Sequence, residues 1–280
     1  ATVMKSLALS DAQIRTLPNP LRGTVATGEY RSVYNWKDRL DPFLPSHLDN
    51  PKAPWVCLSG RPDQLPGEAH SKSARWRSTF LLYGRIPGDR NDVLKFYRKM
   101  NQFEPKVIAG ENGLILNPKT PQLPVGAQFA LVERAMLIND RGVPTLSPLI
   151  LNIQLRAYIQ PGDPRKRSIA EFVLVPHKLF KGGSALRAIG RKERHFKTFA
   201  SNDPFETDRP FDPNLGLATC MSCHSPAGIH SVNSRSRIFP EGSPRPLRLE
   251  ETTPETVGHA TAFRKTQDYT WGVLEVLWRN

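Results

Sequence analysis

Proline constrains the fold of this chain more than any other residue. The sequence holds 26 prolines and 19 glycines among 280 residues, and they are spread along its whole length. A proline inside a helix removes a hydrogen bond and clashes with the preceding turn, so this distribution argues against a helical bundle. A loop-rich protein with short strands and few helices is favoured, and the length suits one large domain or two smaller ones.

The middle of the chain carries the clearest strand patterns. Residues 127–138 are strongly apolar, and apolar residues alternate with polar ones over 149–159. The polar positions of the second segment are Asn152, Gln154 and Arg156. Strict alternation predicts a half-buried strand, and the turn sequence 139–142 predicts that the two segments pair as an antiparallel hairpin. A third strand is predicted at 169–175, so the expected fold is α+β and β-rich, with an antiparallel β core and Pro-rich loops.

Three further segments predict the remaining regular structure. The spacing of apolar residues over 88–103 predicts a helix, which Asp89 or Asn91 could cap. A strand is predicted at 76–82. The apolar segment 269–278 predicts a terminal strand or a short helix on the core.

Residues 220–224 read Cys-Met-Ser-Cys-His and carry the strongest chemical signal in the sequence. Two thiols at this spacing can add to the two vinyl groups of one haem, and the next residue can then ligate the iron. A structural zinc site needs two more suitable ligands, whereas the only other cysteine, Cys57, is far upstream. A thioredoxin-like pair would follow a buried strand, but the loop 211–216 precedes this motif. A disulfide across so tight a loop would be strained.

The sequence Cys-Met-Ser-Cys-His resembles the haem-attachment signature of c-type cytochromes. The resemblance implies that Cys220 and Cys223 form thioether bonds to one covalent haem c and that His224 is the proximal iron ligand. It also implies a periplasmic or extracellular location, because haem is attached outside the cytoplasm in that family. The N-terminus Ala-Thr-Val-Met is consistent with a signal peptide that has been removed. The match covers five residues of 280, so it identifies the cofactor and not a subfamily.

The chain departs from small cytochrome c domains on both sides of the motif. Those domains have a helix before the motif and a methionine ligand well after it, whereas here a Pro- and Asp-rich loop precedes it. No methionine follows His224 in the remaining 56 residues. The small all-helical cytochrome c fold is therefore not expected. A change in composition predicts a β-rich body with an extended N-terminal region, 1–200, and a haem-attachment segment, 201–280, that packs on it or forms one domain with it.

The sixth iron ligand is left open by the sequence. His259 follows His224 by 35 residues, has ample reach and is selected as the second metal ligand, whereas His230 must turn the chain within six residues. The other candidates are His47, His70, His177, His195, Met100 and Met136, or no side chain at all. Two strong axial ligands leave outer-sphere electron transfer, while an open position lets a small molecule such as peroxide bind.

Charge indicates the kind of partner. The chain has 39 Lys and Arg against 26 Asp and Glu, a net charge of +13, which predicts an acidic redox partner protein or an anionic membrane surface. Basic residues cluster in 161–200, but no recognised nucleic-acid motif accompanies them, so specific nucleic-acid binding is not expected. No stretch approaches the roughly 20 apolar residues of a transmembrane helix.

Together these features predict a monohaem c-type cytochrome that passes single electrons between redox partners. It would act alone or as a subunit of a larger respiratory or photosynthetic complex. The alternative is a haem enzyme of the peroxidase type with an open sixth iron position.

Overall fold

The computed structural model describes residues 2–21, 48–60, 76–103, 119–163, 166–181, 184–189, 228–232 and 249–279, with single positions or pairs at 65, 67, 70–71, 74, 106–107, 114–115, 117 and 224. The predicted boundary near residue 200 lies outside these residues.

Seven antiparallel strands form the central sheet. They are β1 (Val56–Ser59), β2 (Ser78–Arg85), β5 (Gln128–Ile138), β6 (Pro144–Tyr158), β7 (Arg167–Leu174), β8 (Leu186–Ala188) and β9 (Glu250–Glu251). Their order across the sheet is β8-β7-β6-β5-β2-β1-β9, and every neighbouring pair is antiparallel. A separate two-stranded sheet pairs β3 (Lys106–Val107) with β4 (Leu114–Ile115). The β-rich prediction is confirmed, since the predicted hairpin is β5 with β6 and the predicted third strand is β7.

Helices are few and short in the described part of the chain. They are α1 (Thr2–Leu7), α2 (Asp11–Thr16), α3 (Arg90–Met100), α4 (Ile229–Val232), α5 (Pro254–Thr266) and α6 (Tyr269–Arg279), with a 3-10 turn at Pro176–Lys178. The predicted helix is α3, and the Asp89 carboxylate caps it by accepting a hydrogen bond from the Asp92 backbone N–H. The segment predicted as a terminal strand or short helix is the helix α6. Within the residues that the structure describes, no helix has the length and apolar character needed to cross a membrane.

The two faces of the sheet carry different side chains because successive residues of a strand point to opposite sides. One face, the apolar face, is formed by Leu81, Val132, Ile153, Leu155 and Phe172. Helix α5 covers it, with Val257 in the same core and the hydroxyl oxygen of Thr261 2.6 Å from that of Thr79.

The other face, the site face, includes Phe80, Phe129, Arg156, Tyr158 and Arg167. Helices α3 and α4 pack on its apolar part, where Tyr97 and Ile229 share a core with Phe129 and Tyr158. Strand β6 is consequently buried on both sides over its second half: Asn152 and Gln154 are only 1% and 4% exposed. The prediction of a half-buried strand was therefore wrong here, because the polar side of the alternation is covered by protein rather than water.

Candidate functional site

His224 lies over the site face and is held at two points. Its backbone carbonyl accepts a hydrogen bond from Nη1 of Arg167 on β7 at 2.8 Å, and its ring Nδ1 is 2.7 Å from the backbone carbonyl oxygen of Ser231. A carbonyl oxygen can only accept, so Nδ1 carries the proton and Nε2 is the nitrogen suited to binding a metal. When the ring nitrogen that does not bind the metal donates such a hydrogen bond, the bond orients the ring and raises the basicity of the ligating nitrogen.

Ser231 is itself locked in place through helix α4. Its hydroxyl oxygen lies 2.6 Å from the hydroxyl oxygen of Tyr158 on β6, and the pair is buried. The side-chain oxygen of Gln122 accepts a hydrogen bond from the Ile229 N–H at 2.8 Å. Gly228 has φ +49°, and a Cβ there would overlap the Gln122 side chain. The carbonyl that orients His224 is thus tied to the sheet.

His70 lies on a short turn that packs against β2. Its N–H donates to the Gly67 carbonyl at 2.8 Å, and its ring centre is 5.5 Å from that of Phe80 with the planes tilted by 60°. The His70 ring also faces the His224 ring: their centres are 6.4 Å apart and their planes differ by 23°. The fold therefore brings together two histidines from distant parts of the sequence.

Both imidazoles are neutral at pH 7. Burial lowers the pKa of His70 to about 4, and the nearby positive charge of Arg156 lowers it further. Burial likewise lowers the pKa of His224 to about 3, with Arg156 again the next cause and the Ser231 hydrogen bond acting in the opposite direction. Neutral imidazole is the form that ligates metals, so both side chains are in the ligating state.

Positive charge is concentrated beside the two histidines. Arg156 and Arg167 point to the same side of neighbouring strands, where Arg156 pairs with Ile169 and Arg167 with Tyr158. Burial lowers the pKa of the Arg167 guanidinium, and the positive charge of Arg156 lowers it further. Two arginines close together on a covered face are suited to an anionic group such as a carboxylate.

The described residues include side chains of the kinds that hold a haem. The site face offers an oriented imidazole, a second imidazole, aromatic side chains and two guanidinium groups that could bind the haem carboxylates. The buried Nε2 of Gln154, next to Arg156 on this face, makes no hydrogen bond within the described structure, and the buried Glu171 lies opposite Gln154 on β7. Groups of three or more His, Cys, Asp or Glu that could hold a metal ion are absent from the described residues.

Several predicted residues lie outside the described part of the chain: Cys220, Cys223, His47, His195 and the side chain of His230. His259 is exposed on α5, which covers the apolar face, so the sheet separates it from His224. His177 is exposed, and Met100 and Met136 are buried in α3 and β5. The structure brings His70 to His224 and does not bring His259 there.

Cys57 has no part in this site. It is a buried free cysteine on the apolar side of β1, opposite Tyr83 of β2. Burial, with a smaller contribution from Asp49, raises the pKa of its thiol to about 12, so it remains protonated and unreactive at neutral pH.

The sequence analysis missed four residues that build the site: Arg156, Tyr158, Arg167 and Ser231. One signal was available for Arg156, because it continues the alternating polar row of β6. That row was interpreted as facing water. The other three contact His224 or its partners only through the tertiary fold.

No family model, no curated protein and no solved structure matches this chain. Function is therefore inferred from the residues and their geometry.

Proposed function

We propose that this protein is a monohaem c-type cytochrome that transfers single electrons between redox partners outside the cytoplasm, alone or as a subunit of a larger complex. One observation carries the proposal. His224, the last residue of Cys-Met-Ser-Cys-His, is neutral and has its Nδ1 bonded to the Ser231 carbonyl, so Nε2 is the nitrogen for iron. A histidine that ligates haem iron through Nε2 must have this tautomer, and a hydrogen bond of this kind from Nδ1 commonly supports it.

The chain's residues would divide the work as follows. Cys220 and Cys223 would hold the cofactor covalently, and His224 would supply an axial imidazole. Arg156 and Arg167 would bind carboxylates and add positive charge beside them. A bound haem c supplies a one-electron couple at its iron.

The sheet side of the site suits electron transfer because its side chains are buried. Phe129 and Tyr158 pack edge to face with ring centres 5.9 Å apart, and both are buried. A poorly hydrated, rigid site changes little when its charge changes, which keeps the reorganisation cost of electron transfer small. The burial of polar residues on this face of β6 adds to that rigidity.

The first test is whether haem is attached covalently. We expect protein made with a competent haem-attachment system to show haem absorption bands, oxidised and reduced, that survive denaturation and extraction with acidified acetone. Mass spectrometry should show the mass of one added haem. Cys220→Ser with Cys223→Ser is the matched control and should lose the covalent haem.

Thiol titration checks the same proposal without a spectrum. The chain has three cysteines, so the denatured holoprotein should expose one titratable thiol, Cys57, and the denatured apoprotein three. In the native holoprotein Cys57 should not react, because it is buried and protonated. Absence of haem bands together with three titratable thiols, under conditions where a known c-type cytochrome is matured, would refute the proposed function.

A further inference from the structure

We propose that His70 is the sixth iron ligand, so that the iron is held between His70 and His224 and is closed to exogenous ligands. This inference rests on the proposed function, and it assigns a residue that the attachment motif does not specify. Three features of the structure support it: the separation of the two rings, their relative orientation and the way the His70 turn is built.

The distance between the ring centres is compatible with two imidazoles that share one metal ion. An imidazole nitrogen binds a metal ion at about 2 Å, and that nitrogen lies about 1 Å from the centre of its ring. Two rings on opposite sides of one metal ion therefore have centres about 6 Å apart. The observed separation between His70 and His224 is 6.4 Å, and the planes differ by only 23°.

Two other uses of His70 fit less well. A direct offset stack of two rings is compatible with the separation, but it gives no reason to place a second imidazole beside the histidine of a haem motif. A distal acid–base histidine of a peroxidase must leave room between itself and the iron for the bound substrate. The observed distance between the ring centres, 6.4 Å, is close to the value expected for two rings on one metal ion and is short for a metal ion with a substrate bound beside it.

Close packing at Gly67 and backbone hydrogen bonds fix the position of His70. Gly67 begins the turn with φ +65°, and a Cβ at this residue would lie 2.9 Å from the Phe80 Cβ. The Gly67 carbonyl accepts hydrogen bonds from the His70 and Ser71 N–H groups, and the His70 carbonyl accepts one from the Ala74 N–H. Gly67 therefore lies close against β2, and the His70 ring packs beside Phe80 of the same strand.

Two histidine ligands give a definite electronic outcome. They leave no iron position for peroxide or carbon monoxide, and they lower the reduction potential relative to a His/Met pair. The protein would then act by outer-sphere electron transfer and not as a peroxidase.

The experiment compares three holoproteins: wild type, His70→Ala and His259→Ala. We expect carbon monoxide to leave the spectrum of the reduced wild type unchanged and to shift the Soret band of His70→Ala promptly. Added imidazole should restore the wild-type spectrum of His70→Ala. His259→Ala should behave like the wild type, because His259 lies across the sheet from His224.

A second measurement keeps the inference testable should His70→Ala not fold. The electron paramagnetic resonance spectrum of the oxidised wild type should be low-spin with two imidazole ligands, and His70→Met should retain a low-spin iron with a higher reduction potential. Prompt carbon monoxide binding by the wild type, or loss of the bis-imidazole signature in His259→Ala instead of His70→Ala, would overturn the assignment. Covalent haem in any of these results leaves the proposed function standing, whereas protein without haem refutes that function itself.

Discussion

Gly67 positions His70 although it contributes no side chain to the site. Its φ of +65° lies in the left-handed region of the backbone, which residues other than glycine adopt at a cost of about 1–3 kcal/mol. The close approach to Phe80 adds a steric reason, because a Cβ would press on the backbone-proximal part of that side chain and not on a flexible tip. One glycine therefore determines how near the His70 turn comes to the sheet.

Gly67→Ala should lower the free energy of unfolding by about 1–3 kcal/mol. It should also weaken the sixth ligand, so that part of the reduced holoprotein binds carbon monoxide. Denaturant unfolding and the carbon monoxide spectrum measure the two effects.

Gly162→Ala is the matched control. A Cβ at Gly162 meets no atom within 4 Å, and its φ lies outside the left-handed region, so its stability should change by no more than about 0.5 kcal/mol. Equal stabilities for the two variants would contradict the geometry of the Gly67 turn.

At the level of elements, helix α4 is too short to be stable alone and depends on its contacts with the sheet. It spans only Ile229–Val232, and isolated helices of this length do not persist in water. Three contacts hold it on the sheet: the buried pair of Tyr158 and Ser231 hydroxyls, the hydrogen bond to the Gln122 side chain, and the burial of Ile229. The position of the His224 ring thus depends on Tyr158, a sheet residue that acts through Ser231.

A double-mutant cycle tests that docking. Tyr158→Phe and Ser231→Ala should each lower the free energy of unfolding by about 1–2 kcal/mol. The first removes one of the two hydrogen bonds of the buried Ser231 hydroxyl, which keeps its bond to the Gly228 carbonyl, and the second leaves the buried Tyr158 hydroxyl without this partner. The double variant should lose about 1 kcal/mol less than the sum of the single losses, since both remove the same interaction. Denaturant unfolding of the four holoproteins gives the coupling, and strictly additive losses would mean that the two hydroxyls do not interact.

On the scale of the whole molecule, we expect the net charge of +13 to govern encounters with charged partners. Positive charge attracts anionic reactants over distances of about one Debye length, roughly 10 Å at 0.1 M salt, and added salt screens that attraction. Arg156 and Arg167 of the site have the same sign, so the overall charge and the local charge act together.

The rate of reduction by a small anionic reductant should fall as salt is raised. The rate with a cationic reductant of similar driving force should rise, because screening then relieves repulsion. Stopped-flow measurements over a series of ionic strengths give both slopes. Equal slopes for the two reductants would show that the surface through which electrons enter does not carry the positive charge of the chain.

The sequence by itself determined the elements whose signals are local. Apolar alternation and a good turn sequence predicted the β5–β6 hairpin, and apolar spacing with an aspartate cap predicted α3. The Cys-Met-Ser-Cys-His motif is also a local signal, because the chemistry proposed for it depends on residues that are adjacent in the chain. The ends of elements were less exact: the strand predicted at 76–82 is observed as Ser78–Arg85, since pairing with β5 decides where it stops.

Only the tertiary structure decided which residues surround His224. His70, Arg156 and Arg167 reach it through strand register and the packing of two short turns on the sheet, and none of these is encoded by a local pattern. The exposed position of His259 across the sheet could not be read from its distance along the chain, because reach does not specify which face a helix covers. The polar side of β6 was interpreted as solvated for the same reason: periodicity shows that two faces differ, and packing determines what covers each of them.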